Sequence, residues 1–220
     1  IWEILRTSDR NPLNNNQVWC IYTEVPFAKL DQQNTSSIVG KWNREHIFCQ
    51  SRGGFEVANG DTADGISIWT TTSAATTVDG VSDAHHIRAV SGQENSSRNN
   101  KNYGPVNTST VYAGPGGTQG SWRGDVARAL FYMAIRFDAL NVVNGDPVEL
   151  SSGNPSYSIG DLATLLSWNT TDPRDDFEMN RNNYIYTWQM NRNPFIDHPN
   201  LAAYIFGPYY GQPWSSLSTQ

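Results

Sequence analysis

The chain has 220 residues, 38% hydrophobic, 12% aromatic and 16% charged, with a net charge of −6. That length suits one large domain or two small ones and leaves ample room for a buried core. The acidic balance excludes a protein that coats nucleic acid by charge alone, and no apolar run approaches the ~18 residues of a membrane span.

Residues 1–10, IWEILRTSDR, place Ile1, Ile4 and Leu5 on one side of a short amphipathic helix. A turn follows over 11–16 (NPLNNN), then a strand over 17–25 (QVWCIYTEV), rich in β-branched and aromatic residues. A surface connection covers 29–39, and WNREHIFC over 42–49 reads as a second strand. Residues 53–82 are rich in Gly, Thr, Ser and Ala and form a long loop with one strand in it (IWTTT); loops of that length are usually functional or mobile. Residues 83–90 (DAHHIRAV) alternate as a strand, and 92–104 form a short polar helix or loop closed by Gly104-Pro105. The clearest helix is 121–140, with Val126, Leu130, Met133 and Phe137 on one face as a core stripe. Further helices are expected over 158–171 and 172–189, the latter with Asp172 as N-cap and Pro173 near its start. A short closing helix then ends at Gly207. There is no internal repeat. Strands early and helices late define an α+β fold, expected as a single domain over 1–220.

The charge is uneven. Residues 41–136 hold nine Lys/Arg against eight Asp/Glu, whereas 138–178 hold eight acids and only Arg174, so a local basic site is compatible with the acidic total. The two cysteines, Cys20 and Cys49, suit either one disulfide of an exported protein or two buried thiols. No signal peptide is visible, and the start at Ile1 suggests a processed or trimmed N-terminus. Asn-x-Ser/Thr triplets at Asn34, Asn95, Asn107 and Asn169 carry little weight in so Asn-rich a chain.

The four histidines, His46, His85, His86 and His198, lie in three polar clusters with Glu45, Asp83 and Asp197. HExxH, CxxC, GxGxxG and GxxxxGK[ST] are all absent, which disfavours zinc, dinucleotide and P-loop chemistry. The serines lack a nucleophile-elbow context. Two strands and a polar helix, over 42–49, 83–90 and 92–103, could instead collect Glu45 and His46 from a strand and an amide oxygen from the helix. One carboxylate and one carboxamide hold a hard cation such as Mg²⁺ loosely, leaving room for phosphate oxygens. Strand neighbours point to opposite faces, so Glu45 and His46 are expected to share a site only where the strand ends or bulges.

KWNREHIFCQS, SDAHHIRAVSGQENSSRNNKNYG, RGDVARALFYMAIRF, DDFEMNRNNYIY and NRNPFIDHP, in that order, together with the opening IWEILRTSDRNP…QVWCIYT, resemble the endonuclease I family of bacterial exported nucleases. That family lies within the His-Me finger (ββα-metal) nucleases, and the resemblance spans nearly the whole chain. It implies a ββα-metal motif roughly over 42–103, with His46 as the general base that activates water. Glu45 and Asn95 match the metal ligands, Mg²⁺ foremost, with Ca²⁺ or Mn²⁺ as alternatives. Arg98, one turn beyond Asn95, is expected to contact a phosphate, with Arg44 and Arg88 as further substrate-binding candidates. The sequence departs from the family where Ile87-Arg88-Ala89 replaces a Leu-Arg-Pro. It departs again at Val81, where relatives carry a Glu that orients the histidine. The replacement acceptor would be a backbone carbonyl or another side chain, Asp83 being the first candidate.

The implied activity is non-specific, metal-dependent hydrolysis of DNA, with RNA as a further substrate, to 5′-phosphate and 3′-hydroxyl ends. A secreted or periplasmic monomer with no membrane partner fits the same resemblance. Two other readings compete: a metal-dependent phosphoesterase of small phosphodiesters, and a non-catalytic nucleic-acid-binding module on the same fold.

Overall fold

A computed structural model describes residues 1–55, 77–150 and 154–216. The strand expected over 68–72 lies outside the described residues. Helix α1 (Trp2–Ser8) leads into strand β1 (Gln17–Cys20), which pairs antiparallel with β2 (Val25–Ala28). β1 is shorter than the 17–25 run suggests. Tyr22 and Glu24 adopt φ of 70° and 53°, a left-handed conformation that cannot continue a strand, so the chain turns back at once.

Strand β3 (Trp42–His46) pairs antiparallel with β4 (Ile87–Ser91), from Trp42↔Ser91 to His46↔Ile87. β4 begins four residues later than expected because Asp83–His86 form a turn. His86 N donates to Asp83 O at 3.2 Å and His85 N to Asp83 Oδ1 at 3.0 Å, the local competition typical of Asp. Beyond β1, Ile21 bridges in parallel to Val90, so β4 lies between β3 and the Ile21 segment. Helix α3 (Gly92–Arg98) follows β4 with no intervening residue.

The remaining elements are a one-turn helix α2 (Gln50–Gly53), the two-residue strands β5 (Asn102–Tyr103), β6 (Val111–Tyr112), β7 (Asn141–Val142) and β8 (Ser158–Ile159), and helices α4 (Arg123–Arg136), α5 (Leu162–Thr171), α6 (Asp176–Gln189), α7 (Pro194–Asp197) and α8 (Leu201–Ile205). The mixture is an α+β fold. The β5–β6 and β7–β8 pairs are parallel and too short to leave a periodic trace in the sequence. Helix α4 is central: Val126, Leu130, Met133 and Phe137 are all fully buried, as their common face predicts. Asp172 does not cap α6. Asp175 does, accepting Glu178 N at 2.9 Å, while Asp172 Oδ2 accepts Gly124 N at 2.7 Å and so satisfies an end amide of α4.

Two apolar clusters flank the β3–β4 pair. One gathers Ile21, Tyr22, Ile47, Phe48 and Val90 with the buried face of α4. The other gathers Ile4 and Leu5 of α1, Val18, Trp42, Ile87, Ala89 and Ile185. Cys20 and Cys49 are buried free thiols, one in each cluster.

Buried ions tie these layers together. Asp9, at the end of α1, accepts Arg88 Nε at 3.2 Å and Ala89 N at 2.7 Å on Oδ2, and Arg181 Nε at 2.8 Å on Oδ1. Burial alone would raise the Asp9 pKa, but Arg181 and Arg88 hold it below the ordinary range. Arg88 also donates to Asp125 at 2.7 Å, and Arg128 of α4 grips Glu178 of α6 through two nitrogens. Removing one partner from such a network strands the others without compensation. Asp9→Ala is therefore expected to lower stability by about 3–5 kcal/mol, measured by urea unfolding; a change below about 1 kcal/mol would show that water replaces the carboxylate at no real cost.

Candidate active site

The open edge of β3 is the structural key to the site. β4 occupies the other edge, and the outward carbonyls of β3 are each taken by a separate donor. Trp42 O accepts Gln33 N at 2.9 Å, Arg44 O accepts Asn95 Nδ2 at 3.1 Å, and His46 O accepts Arg98 Nη1 at 3.0 Å. Asn95 and Arg98 are three residues apart on α3 and so share a face. That face docks on the strand edge.

A cleft of about 410 Å³ opens along this edge, lined by Asn43, Arg44, Glu45, His46, Gln50 and Asn95 among others. Alternate side chains of a strand face opposite sides. Four consecutive strand residues can border one cavity only because it lies along the edge of the strand. The pair also lies at a strand end, one of the two places expected for it: the ladder runs in register through His46↔Ile87, with no bulge, and β3 ends at His46.

Glu45 is 1% exposed. Its Oε1 accepts the Tyr22 hydroxyl at 2.6 Å and lies 3.1 Å from Arg98 Nη1. Burial nonetheless pushes its pKa up, with Arg98 and Tyr22 opposing and Glu94 adding to the rise. His46 is half-buried, and its Nε2 lies 2.9 Å from the Val81 carbonyl. A carbonyl only accepts, so Nε2 carries the proton and Nδ1 keeps its lone pair. Burial, aided by His86, Arg44 and Arg98, lowers the His46 pKa to about 3 against the Val81 bond, so the ring is neutral at pH 7. The Gln50 amide lies 3.5 Å from the same nitrogen, too far for a strong bond.

The residues singled out in the sequence divide into two groups. Glu45, His46, Asn95 and Arg44 border one cleft, with the Arg44 guanidinium 4.7 Å over the Trp2 ring. Arg98 also borders it, but not as a phosphate contact. It is 2% exposed, and its two terminal nitrogens are spent on His46 O, on Ile47 O at 2.7 Å and on Glu45. Arg88 is absent from the cleft lining because Asp9 and Asp125 hold it in the interior. Asp83 does not orient His46; it serves His85 N, Tyr132 Oη at 2.7 Å and Gln189 Nε2 at 3.0 Å. Sequence reasoning missed Tyr22 and Gln50. Gln50 has a trace, four residues past His46 at the start of α2, whereas nothing in the sequence links Tyr22 to Glu45.

His85 and His86 are buried beside the site. His86 Nε2 bonds Gly80 O at 2.6 Å and its Nδ1 accepts Phe48 N at 3.3 Å. His85 Nε2 lies 3.2 Å from both Asn191 O and Asn191 Oδ1.

Comparison with known proteins identifies the family. The family model for endonuclease I matches residues 1–200. The chain is 36% identical over 220 residues to "Extracellular ribonuclease" of Bacillus amyloliquefaciens, covering 94% of this chain and 67% of the relative. It is 36% identical over 218 residues to "Extracellular ribonuclease" of Bacillus subtilis (strain 168), with the same two shares. The chain belongs to the endonuclease I family, and it is a nuclease, a phosphodiester-hydrolysing enzyme. No helix among the described residues is long and apolar enough to cross a membrane.

Burial lowers the pKa of His86 to about 4, below the ~6.5 of an unfolded histidine. Below pH 6.5 the unfolded chain therefore binds a proton that the folded chain refuses, and the stability His86 contributes above that pH is lost as pH falls toward 4. Compared with His86→Gln, the parent's stability advantage is expected to shrink by up to ~1.4 kcal/mol per pH unit across that window. Paired urea titrations at stepped pH measure it; a pH-independent difference would contradict a neutral buried ring.

Proposed function

We propose that this nuclease is a non-specific, metal-dependent endonuclease that cleaves both DNA and RNA to 5′-phosphate and 3′-hydroxyl ends. One observation carries the reading: a single strand-edge cleft brings a buried carboxylate (Glu45), an amide (Asn95) and a neutral imidazole (His46) together. The relatives named extracellular ribonucleases favour RNA as a substrate, and a base that acts on water needs no ribose hydroxyl, so DNA fits equally. Their names also favour secretion. The ββα-metal reading of β3, β4 and α3 rests on the same three residues, and a single-domain monomer is proposed with it.

The donor set suits a hard cation. Asn95 spends its nitrogen on Arg44 O, which turns its oxygen to other use, and both protein contacts of Glu45 fall on Oε1. Glu45 Oε2 and Asn95 Oδ1 would hold Mg²⁺, with water and phosphate oxygens completing the shell. A cation held there would supply Lewis-acid stabilisation of the negative charge that develops on the phosphate. His46 Nδ1 takes a proton from the attacking water, while its Nε2–H on Val81 O fixes the ring. Water adds to phosphorus in line as the P–O3′ bond breaks; the departing 3′ oxygen takes a proton from solvent water to become the 3′-hydroxyl, and His46 returns its proton to solvent. Arg44 meets a phosphate next to the scissile one. A cleft that grips backbone reads no base, which fits cleavage without sequence specificity.

His46→Ala is expected to cut plasmid DNA and RNA about 10²–10⁴-fold more slowly than the parent, and EDTA to abolish cleavage until Mg²⁺ is restored. Parental rates from His46→Ala would end the assignment of the base, and equal rates on a small phosphodiester would favour a phosphoesterase. Arg44→Ala is expected to raise KM and to flatten the slope of log affinity against log salt by about 0.7–0.9; an unchanged slope would remove Arg44 from phosphate binding.

A further inference from the structure

Tyr22 stands in a conformation that a turn residue of its kind normally avoids. Its φ is 70°, a region where Gly or Asn is expected and a bulky side chain is a true outlier. Outliers of this kind persist only where the surroundings over-determine them, and they cluster at functional sites. Here the surroundings are plain. The fully buried ring meets Trp122 edge-on with centroids 5.1 Å apart and Tyr112 edge-on at 5.0 Å. A glycine would satisfy the backbone and a phenylalanine the packing; only a tyrosine also delivers a hydroxyl.

That hydroxyl lies 2.6 Å from Glu45 Oε1 and 2.6 Å from the Tyr103 hydroxyl, which is itself 3.2 Å from Ile47 O. An ionised carboxylate only accepts, so Tyr22 gives its proton to Glu45 and can accept one from Tyr103. Arg98 approaches the same oxygen at 3.1 Å. A hydroxyl donor from the turn after β1 and a guanidinium charge from α3 converge on Oε1. Together they fix the plane of the carboxylate and leave Oε2 as the oxygen best placed for an outside ligand.

We propose that Tyr22, backed by Tyr103, is a positioning residue for the cation site: its hydroxyl clamps Glu45 so that the carboxylate presents its other oxygen to a divalent cation beside Asn95. The inference rests on reading Glu45 as a metal ligand and goes one layer deeper. Partners that orient a metal ligand commonly govern affinity by 10–100-fold.

The test measures Mn²⁺ binding to the whole chain without nucleic acid, by the loss of the free-ion electron paramagnetic resonance signal. Tyr22→Phe keeps the ring and removes the hydroxyl. It is expected to weaken Mn²⁺ binding by about 10–100-fold, and the Mg²⁺ concentration for half-maximal cleavage rises with it. Parental Mn²⁺ affinity, whatever happens to the melting temperature, would reduce Tyr22 to packing and overturn the inference. Glu45→Gln, run alongside, separates the two layers. Lost binding there with parental binding in Tyr22→Phe overturns the clamp alone, whereas parental binding in Glu45→Gln overturns the ligand reading and the clamp with it. If Tyr22→Phe does not fold, Tyr103→Phe decides: a smaller but measurable weakening supports the clamp, and parental affinity overturns it.

Discussion

The contact on which the site depends is the docking of Arg98 against the end of β3. One guanidinium takes the carbonyls of His46 and Ile47 and pairs with Glu45, while its plane lies 4.7 Å from the Tyr103 ring. Burying an arginine is costly unless its charge is met; here a carboxylate, two carbonyls and an aromatic face meet the charge and both terminal nitrogens, while Nε has no hydrogen-bond partner among the described residues. The same contact solves a second problem. An open strand edge presents unpaired backbone groups that invite other chains, and Asn95 and Arg98 close this one with side chains while leaving the flanking cleft accessible. Glu45 and His46 are held at a fixed spacing because one residue secures the carboxylate of the first and the backbone of the second.

The strand pair needs an equally firm base. Asp9 binds both the side chain of Arg88 and the amide of Ala89, so β4 is anchored through its backbone as well as its surface. Arg181 adds bonds to Asp9 and to the carbonyls of Ala84 and Ile87. This network carries the turn before β4 and thereby the segment whose Val81 carbonyl holds His46. The basic residues that a sequence reading assigns to phosphates are thus partly consumed in construction. Of the three arginines considered, Arg44 borders the cleft with its guanidinium over the Trp2 ring, whereas Arg88 and Arg98 are buried on carboxylates.

Much of the site was legible because its parts are local. Asn43–His46 form one strand, and Asn95 follows from a polar helix that begins where the second strand ends. The amphipathic stripe of α4 was equally plain, since periodicity reports burial directly. What was hidden depends on distant partners. A lone arginine in an alternating strand gives no sign that Asp9, 79 positions away, will neutralise it. Arg98 shares a helix face with Asn95, which is correct for docking but silent on whether its guanidinium ends in solvent or in the interior. The early end of β1 lies in the left-handed backbone of Tyr22, a state with no signature in an aromatic residue. The role of Val81 is carried by a carbonyl and is independent of its side chain.

That carbonyl bears on the chemistry. A carboxylate behind the imidazole would orient the ring and also favour its charged form; a carbonyl orients it through the same nitrogen with far less pull on the proton. The ring stays neutral and its Nδ1 stays free to accept. A second carboxylate would also sit a few ångströms from Glu45, in a cleft that must admit a polyanion, and every such charge repels the substrate more strongly in a partly desolvated space. Orienting His46 through the backbone avoids that repulsion and leaves Glu45 as the one carboxylate bordering the cleft among the described residues. The net charge of −6 belongs to the whole chain, whereas the described lining of the cleft holds one carboxylate, Glu45, which is paired with Arg98, beside neutral asparagines, His46 and the cationic Arg44.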